Sequence, residues 1–211
     1  MYPLAWIARV LDVVFPPRAD ALLVREAQPG SLAALLRPEL IETTRPYVTA
    51  LASFMDPLTR ALVREAKYHA NERAQFFLAQ LLREYLREIA TDTYETAVII
   101  PIPLSPARLR ERGFNQCEVI ARHALGSGDL PLTIDARALV RMRDTEHQAR
   151  LSRAARLRNV VDAFEATRAL DPHTTYLLFD DVVTTGATLG AAAKALRARG
   201  AKRILPIALA R

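Results

Sequence analysis

Only one cysteine, Cys117, stands among the 211 residues. A single thiol excludes an intramolecular disulfide and a zinc site built from four cysteines. The four histidines, His69, His123, His147 and His173, lie far apart and match no metal-ligand spacing. No apolar run reaches the roughly 18 residues that a membrane-spanning helix needs. The opening stretch from Tyr2 to Phe15 is broken by Arg9 and Asp12, and it has neither a basic leader nor a small-residue cleavage site. It is therefore not expected to act as a secretory signal, and a cytoplasmic location is expected. Neither G-x-x-x-x-G-K-[ST] nor G-x-G-x-x-G occurs, which excludes the two commonest glycine-rich nucleotide-binding turns. Internal repeats and low-complexity tracts are also missing.

What is present is the ordinary balance of a soluble globular protein: 51% apolar residues against 25% charged. The length suits one domain plus an extension, with enough chain to bury a real core. The net charge of +6 comes almost wholly from arginine. It favours anionic partners such as nucleic acid, nucleotides or sugar phosphates. An arginine-rich proteome accounts for it equally well, since no basic tract stands out.

Residues 1–46 read as an N-terminal extension and 47–211 as the main domain. Leu4, Ile7, Val10, Leu11 and Val14 have helical spacing, and Pro16-Pro17 stops that helix. Residues 16–46 show no clean period and are expected to be irregular, with one short helix near 31–36. A strand is expected over Tyr47–Phe54. Asp56-Pro57 then reads as an N-cap followed by proline at the first helical position, opening a helix through about Tyr68. A stronger helix, about Glu72 to Ile89, buries Phe77, Leu78, Leu81, Leu82, Tyr85 and Ile89 on one stripe. Three short apolar runs follow: Ala97–Ile100, Tyr176–Phe179 and Ile204–Leu209. They are of the kind found in parallel strands buried on both faces. The first two lead through loops into helices near 115–125 and 187–199. Strand, loop and helix repeated in this way predict an α/β domain with a mainly parallel sheet flanked by helices. Ligands of such sheets sit at the carboxyl ends of the strands, which points to loops 101–115 and 180–188.

The second loop carries the chemistry. A buried strand ends in Asp180-Asp181, Val182-Val183 follow, and Thr184-Thr185-Gly186-Ala187-Thr188 leads into a helix expected from Leu189 to Arg199. A helix start offers unpaired N–H groups and a positive dipole end, which suit a phosphate. Threonine hydroxyls add donors, and glycine permits close approach. Two acids just upstream can accept hydrogen bonds from sugar hydroxyls or hold Mg²⁺ through water. A plainly structural reading, a strand followed by a capped helix, accounts for one Asp and one Thr but not for the whole run.

Phe179 through Thr188 resembles the phosphoribosyl-pyrophosphate (PRPP) signature of type I phosphoribosyltransferases: a hydrophobic pair, two acids, a spacer and T-x-G-x-T. The resemblance implies that Asp180 and Asp181 contact the ribose hydroxyls as the catalytic acids. It assigns the 5′-phosphate to Thr184, Thr185, Gly186, Ala187 and Thr188. The phrase Pro101-Ile102-Pro103-Leu104-Ser105, followed by Arg112-Gly113-Phe114-Asn115-Gln116, is similar to the ComF/GntX family of competence-associated, phosphoribosyltransferase-like proteins. Lys67-Tyr68 agrees with that family. So does the spaced set Arg141, Thr145, Gln148, Leu151, Arg156, Asn159 and Phe164, matching its hood and flexible loop. The implied fold is the type I phosphoribosyltransferase fold with a small hood.

By the same resemblance the turn at Leu104-Ser105, with Arg112, Asn115, Gln116 and Arg141, belongs to pyrophosphate and substrate. Asn115 serves equally as the cap of the helix at 116. Lys67 and Tyr68 either point into the cleft or satisfy a helix end. Cys117 is a small buried side chain or a thiol acidified by the helix start. The arginine-rich segment 141–159 is either a mobile lid or a solvated, nucleic-acid-binding face. The family commonly has a zinc module after Phe-Pro-Pro, but Arg18-Ala19-Asp20 follows Phe15-Pro16-Pro17 here, so no zinc is expected. Mg²⁺ is expected to arrive with PRPP, with Asp180 and Asp181 as its nearest protein groups. The implied function is a Mg²⁺-dependent, PRPP-binding phosphoribosyltransferase-like protein of DNA uptake and natural transformation. The alternative is a non-catalytic sensor of PRPP or a nucleotide. Such a sensor would bind single-stranded DNA or a partner such as a competence helicase or recombination mediator.

Overall fold

The apolar runs at Ala97, Tyr176 and Ile204 lie side by side at the centre of a six-stranded sheet. A computed structural model describes residues 18–93, 97–126, 128–142 and 163–211. The strands are β1 (Glu39–Ile41), β2 (Val48–Ala52), β3 (Ala97–Pro101), β4 (Leu132–Ile134), β5 (Leu139–Arg141), β6 (Phe164–Ala166), β7 (Thr175–Val182) and β8 (Arg203–Ala210). The described helices are α1 (Ala19–Glu26), α2 (Ser31–Leu35), α3 (Pro57–Tyr68), α4 (Glu72–Thr93), α5 (Pro106–Arg112), α6 (Gln116–Leu125) and α7 (Ala187–Ala198). The sheet order is β1-β2-β8-β7-β3-β4, and every pairing is parallel except that of β1 with β2. β5 and β6 form a separate antiparallel hairpin.

Side chains alternate across β7, as a strand's period of two requires. Leu177 and Phe179 enter the core beneath α3, α4 and α6, whereas Tyr176 and Leu178 enter the core beneath α7 and the hairpin. Both faces are covered, which is why these strands read as continuous apolar runs. The Asp56 carboxylate accepts the Thr59 N–H at 2.8 Å and Pro57 takes the first turn of α3, as the sequence predicts.

Four expectations are corrected. Residues 18–46 are not mainly irregular: they form α1, α2 and the edge strand β1, whose Leu40 lies opposite Thr49. These elements bury so few side chains, Val24 and Ile41 among them, that they leave no periodic trace. β7 runs on through Val182, because β8 continues to pair with it at Asp180 and Val182. The arginines expected on an open loop sit on α5, which Ser105 caps and Pro106 opens. α7 runs from Ala187 to Ala198, matching the helix expected near 187–199 rather than the later start at Leu189. Residues 143–162, which hold most of the arginine-rich segment 141–159 with Thr145, Gln148, Leu151, Arg156 and Asn159, lie outside the described residues, as does the helix expected from Leu4 to Val14.

The loop 42–46 packs tightly against α7. A Cβ at Gly190 would lie 2.8 Å from the Arg45 carbonyl oxygen, closer than such atoms approach. Gly190→Ala is expected to destabilise the fold by about 1–3 kcal/mol, because backbone must shift. Gly30→Ala, with nothing within 4 Å of the new methyl, should change stability by about 0.5 kcal/mol or less. Urea denaturation of both variants checks the pair.

Candidate functional site

Parallel pairing of β3, β7 and β8 brings the expected turns to one end of the sheet. Ile102 N–H donates to the Phe179 carbonyl at 2.8 Å, so the turn after β3 is tied to the strand that carries the acids. Asn115 caps α6 by accepting the Cys117 N–H at 3.1 Å, and its Nδ2 donates to the Ile102 carbonyl at 3.0 Å. The capping role is thus real, and it also pins the turn after β3 to α6.

Asp181 is the hub. Its Oδ2 receives Lys67 Nζ at 2.8 Å and Gln116 Nε2 at 2.9 Å, and its Oδ1 accepts the Val182 N–H at 2.8 Å. Gln116 in turn accepts from Arg112 Nη1 at 3.1 Å, and the Arg112 guanidinium lies 5.3 Å from the centre of the Tyr68 ring. Lys67, Tyr68, Arg112 and Gln116 therefore reach one cluster from three helices. The Lys67 ammonium reaches a carboxylate rather than a helix carbonyl. Burial works against that ammonium's charge, but Asp181 and Asp180 outweigh it and its pKa is raised.

Asp180 sits one residue back, with Oδ1 accepting the Asp181 N–H at 2.9 Å and the Cys117 thiol 3.9 Å away. Loss of solvent, reinforced by the Asp181 charge, pushes its carboxyl up to about 7; a backbone N–H, Lys67 and Arg141 act in the opposite sense. Arg141 reaches this environment from the hairpin side, where its guanidinium stacks on Phe164 at 5.3 Å. Cys117 is not acidified: burial and the two carboxylates push its thiol well up. The small, buried reading of this residue is the correct one.

The threonine-glycine turn behaves differently from the acid cluster. Gly186 has φ +74° and a Cβ there would lie 2.7 Å from Thr44 Cβ, so glycine is required by conformation and by space. Ala187 and Thr188 form the first turn of α7, with the Ala187 N–H 3.4 Å from Thr185 Oγ1. Thr184 is exposed, and Thr185 and Thr188 are half-buried. Leu104 is half-buried, whereas Ser105 is fully buried with its hydroxyl accepting the Arg108 N–H. The Ser105 side chain thus caps α5. Thr44 and Arg45, which back the turn, carry no sequence motif and were not foreseen.

A doubly covered, mainly parallel sheet with an acid pair on its central strand and a helix-start turn beside it is the type I phosphoribosyltransferase-like fold. Comparison with known proteins narrows the class. No family model matches the chain. Competence protein F of Haemophilus influenzae is 30% identical over 166 residues, covering 76% of this chain and 71% of that protein. The DNA utilization protein YhgH of Salmonella typhi is 30% identical over 166 residues, with coverages of 74% and 68%. Competence protein ComFC of Streptococcus pneumoniae is 30% identical over 136 residues, with coverages of 64% and 57%. The chain belongs to the ComF family that these proteins represent. No helix among the described residues is long and apolar enough to cross a membrane.

The Asp180 carboxyl gives a pH signature. An unfolded aspartate titrates near its ordinary value of 3.8, while the folded one holds its proton to about 7. Between these values the folded state binds the extra proton, so this group's contribution to stability is complete below the lower pH and lost as pH rises through the upper one. Asp180→Asn is expected to raise stability at pH 8 by about 1–2 kcal/mol, allowing for partial solvation. The gain should vanish near pH 4. Thermal melts of both proteins across that range check it.

Proposed function

We propose that this chain binds PRPP with Mg²⁺ at the carboxyl ends of β3 and β7, in the service of DNA uptake and natural transformation. The observation that carries the reading is the link Lys67–Asp181–Gln116–Arg112, which joins both strand-end turns beside the Thr184–Thr188 helix start. A phosphate at the start of α7 would meet backbone N–H groups and the positive end of the helix dipole. Asp180 would accept from the ribose hydroxyls, and Arg112 and Lys67 would face the pyrophosphate oxygens. The names of the relatives, competence and DNA utilization proteins, supply the cellular context.

The donor set suits Mg²⁺ held through the ligand. Asp180 and Asp181 offer hard oxygen donors. The described residues contain no group of three or more His, Cys, Asp or Glu side chains able to hold a metal alone. That is the usual arrangement for Mg²⁺, which takes one or two carboxylates and fills its shell with water and phosphate oxygens. When bound, it neutralises charge on the departing pyrophosphate. The chain's own part is to position the ribose, stabilise positive charge developing at C1 through Asp180 and Asp181, and hold the leaving group with Arg112. A nitrogenous base or amine would then attack C1. Single-stranded DNA and a competence helicase or recombination mediator are the partners that this reading places alongside it.

Calorimetric titration of PRPP with and without Mg²⁺ tests the proposal. Saturable, Mg²⁺-dependent binding is expected, with affinity reduced at least about tenfold in Asp180→Asn/Asp181→Asn, since two charge-assisted contacts are lost. No binding at millimolar PRPP would sink it. Binding without pyrophosphate release, whichever base is offered, would assign the chain to the sensing class rather than to the transferases.

A further inference from the structure

The C-terminal turn of α3 presents Lys67 and Tyr68 to the site, and what holds that turn lies outside the ligand cluster. Glu65 is its centre. Its side chain is 1% exposed, yet it is charged, and a buried carboxylate needs partners. Arg18 provides the main one. Nε donates to Oε1 and Nη2 to Oε2, both at 3.1 Å, in the parallel fork geometry of a bidentate pair. Asn71 Nδ2 adds a third hydrogen bond to Oε2 at 3.2 Å. The Glu65 carbonyl also accepts the His69 and Asn71 N–H groups, closing the helix end. Burial alone would raise the carboxyl's pKa, but these donors outweigh it and lower it.

Arg18 belongs to the N-terminal segment, and a second contact from that segment acts on the opposite side of the site. Thr44 is 2% exposed and packs against Gly186 in the threonine-glycine turn so closely that no Cβ fits between them. Residues 18–46 therefore brace both the cation end of the cleft, through Glu65, and the phosphate turn, through Thr44. Arg18 itself is exposed and touches neither Asp181 nor Lys67. Its position, two residues from the ligand-facing lysine through Glu65, makes it a lever on that lysine rather than a contact with any ligand.

We propose that Arg18 is a positioning residue of the ligand site: by neutralising and orienting Glu65 it fixes the last turn of α3, so that Lys67 meets Asp181 and the N-terminal segment is coupled to ligand affinity. For PRPP the inference rests on the function proposed above; the coupling to the Lys67–Asp181 contact does not. A partner that engages residues near Arg18 would accordingly change the site's affinity, and a ligand would change the partner's by the same factor.

The test uses the full chain as wild type, Arg18→Gln, Arg18→Lys and Ile204→Ala, the last a change in the other core, at the end of β8 away from the acids, that controls for lost stability. Two readings are taken on each: the dissociation constant for Mg²⁺-PRPP, and the rate at which a thiol reagent labels Cys117. That buried thiol lies beside Asp180 and reports on the cluster without any ligand. Arg18→Gln is expected to weaken PRPP about three- to tenfold, the cost of ordering side chains no longer held in place. Arg18→Lys should recover part of the loss, since it keeps the charge but not the fork. Cys117 labelling should accelerate in Arg18→Gln beyond its rate in Ile204→Ala at matched stability. PRPP affinity within twofold of wild type in Arg18→Gln would overturn the coupling. Should the wild type not bind PRPP, the earlier proposal fails and the positioning claim is judged on labelling alone. Equal labelling rates in Arg18→Gln and the control would then overturn it.

Discussion

A carboxylate and an ammonium held 2.8 Å apart at the mouth of a parallel sheet organise this protein. Asp181 is 5% exposed, and a carboxylate at that depth is costly unless its oxygens are occupied. Lys67 and Gln116 supply donors from two helices, and the backbone after Asp181 supplies a third. Each donor must be carried to the same point by a separate element, so α3, α6 and β7 have little freedom relative to one another. The Arg112–Gln116 and Arg112–Tyr68 contacts extend the constraint to α5.

The two adjacent acids divide the surroundings between them. Asp181 is committed to hydrogen bonds on the side of α3 and α6, whereas Asp180 keeps company with a buried thiol and feels Arg141 from the hairpin. The Asp181 carboxylate is surrounded by donors, while Asp180 is drawn toward neutrality by lost solvent and its neighbour's charge.

Much of this was legible in the sequence, and the limits have physical causes. The three apolar runs announced the central strands because burial on both faces leaves no room for polar alternation. Asp56-Pro57 and the Thr184–Thr188 turn were readable because caps and helix starts are local chemistry. β1 was not, since three residues cannot display a period. α5 was missed although Ser105-Pro106 is a sound helix opening, because its arginines were weighed as ligands rather than as a short helix. Arg18–Glu65 and Thr44–Gly186 join residues that only the folded chain brings together, and no spacing in one sequence encodes them.

The position of β8 carries a consequence for how the site comes into being. β1 and β2 meet the rest of the sheet only across β8, which follows every other described element in the chain yet lies between β2 and β7. Such late, long-range strand insertion makes for slow assembly. Until residues 203–210 are seated, the sheet holds Glu39–Ala52 and the acid-bearing strand as separate pieces. Thr44 then has no fixed turn to press against. The arrangement around Asp181 and Gly186 therefore does not build up element by element along the chain; it depends on the last strand closing the gap between β2 and β7.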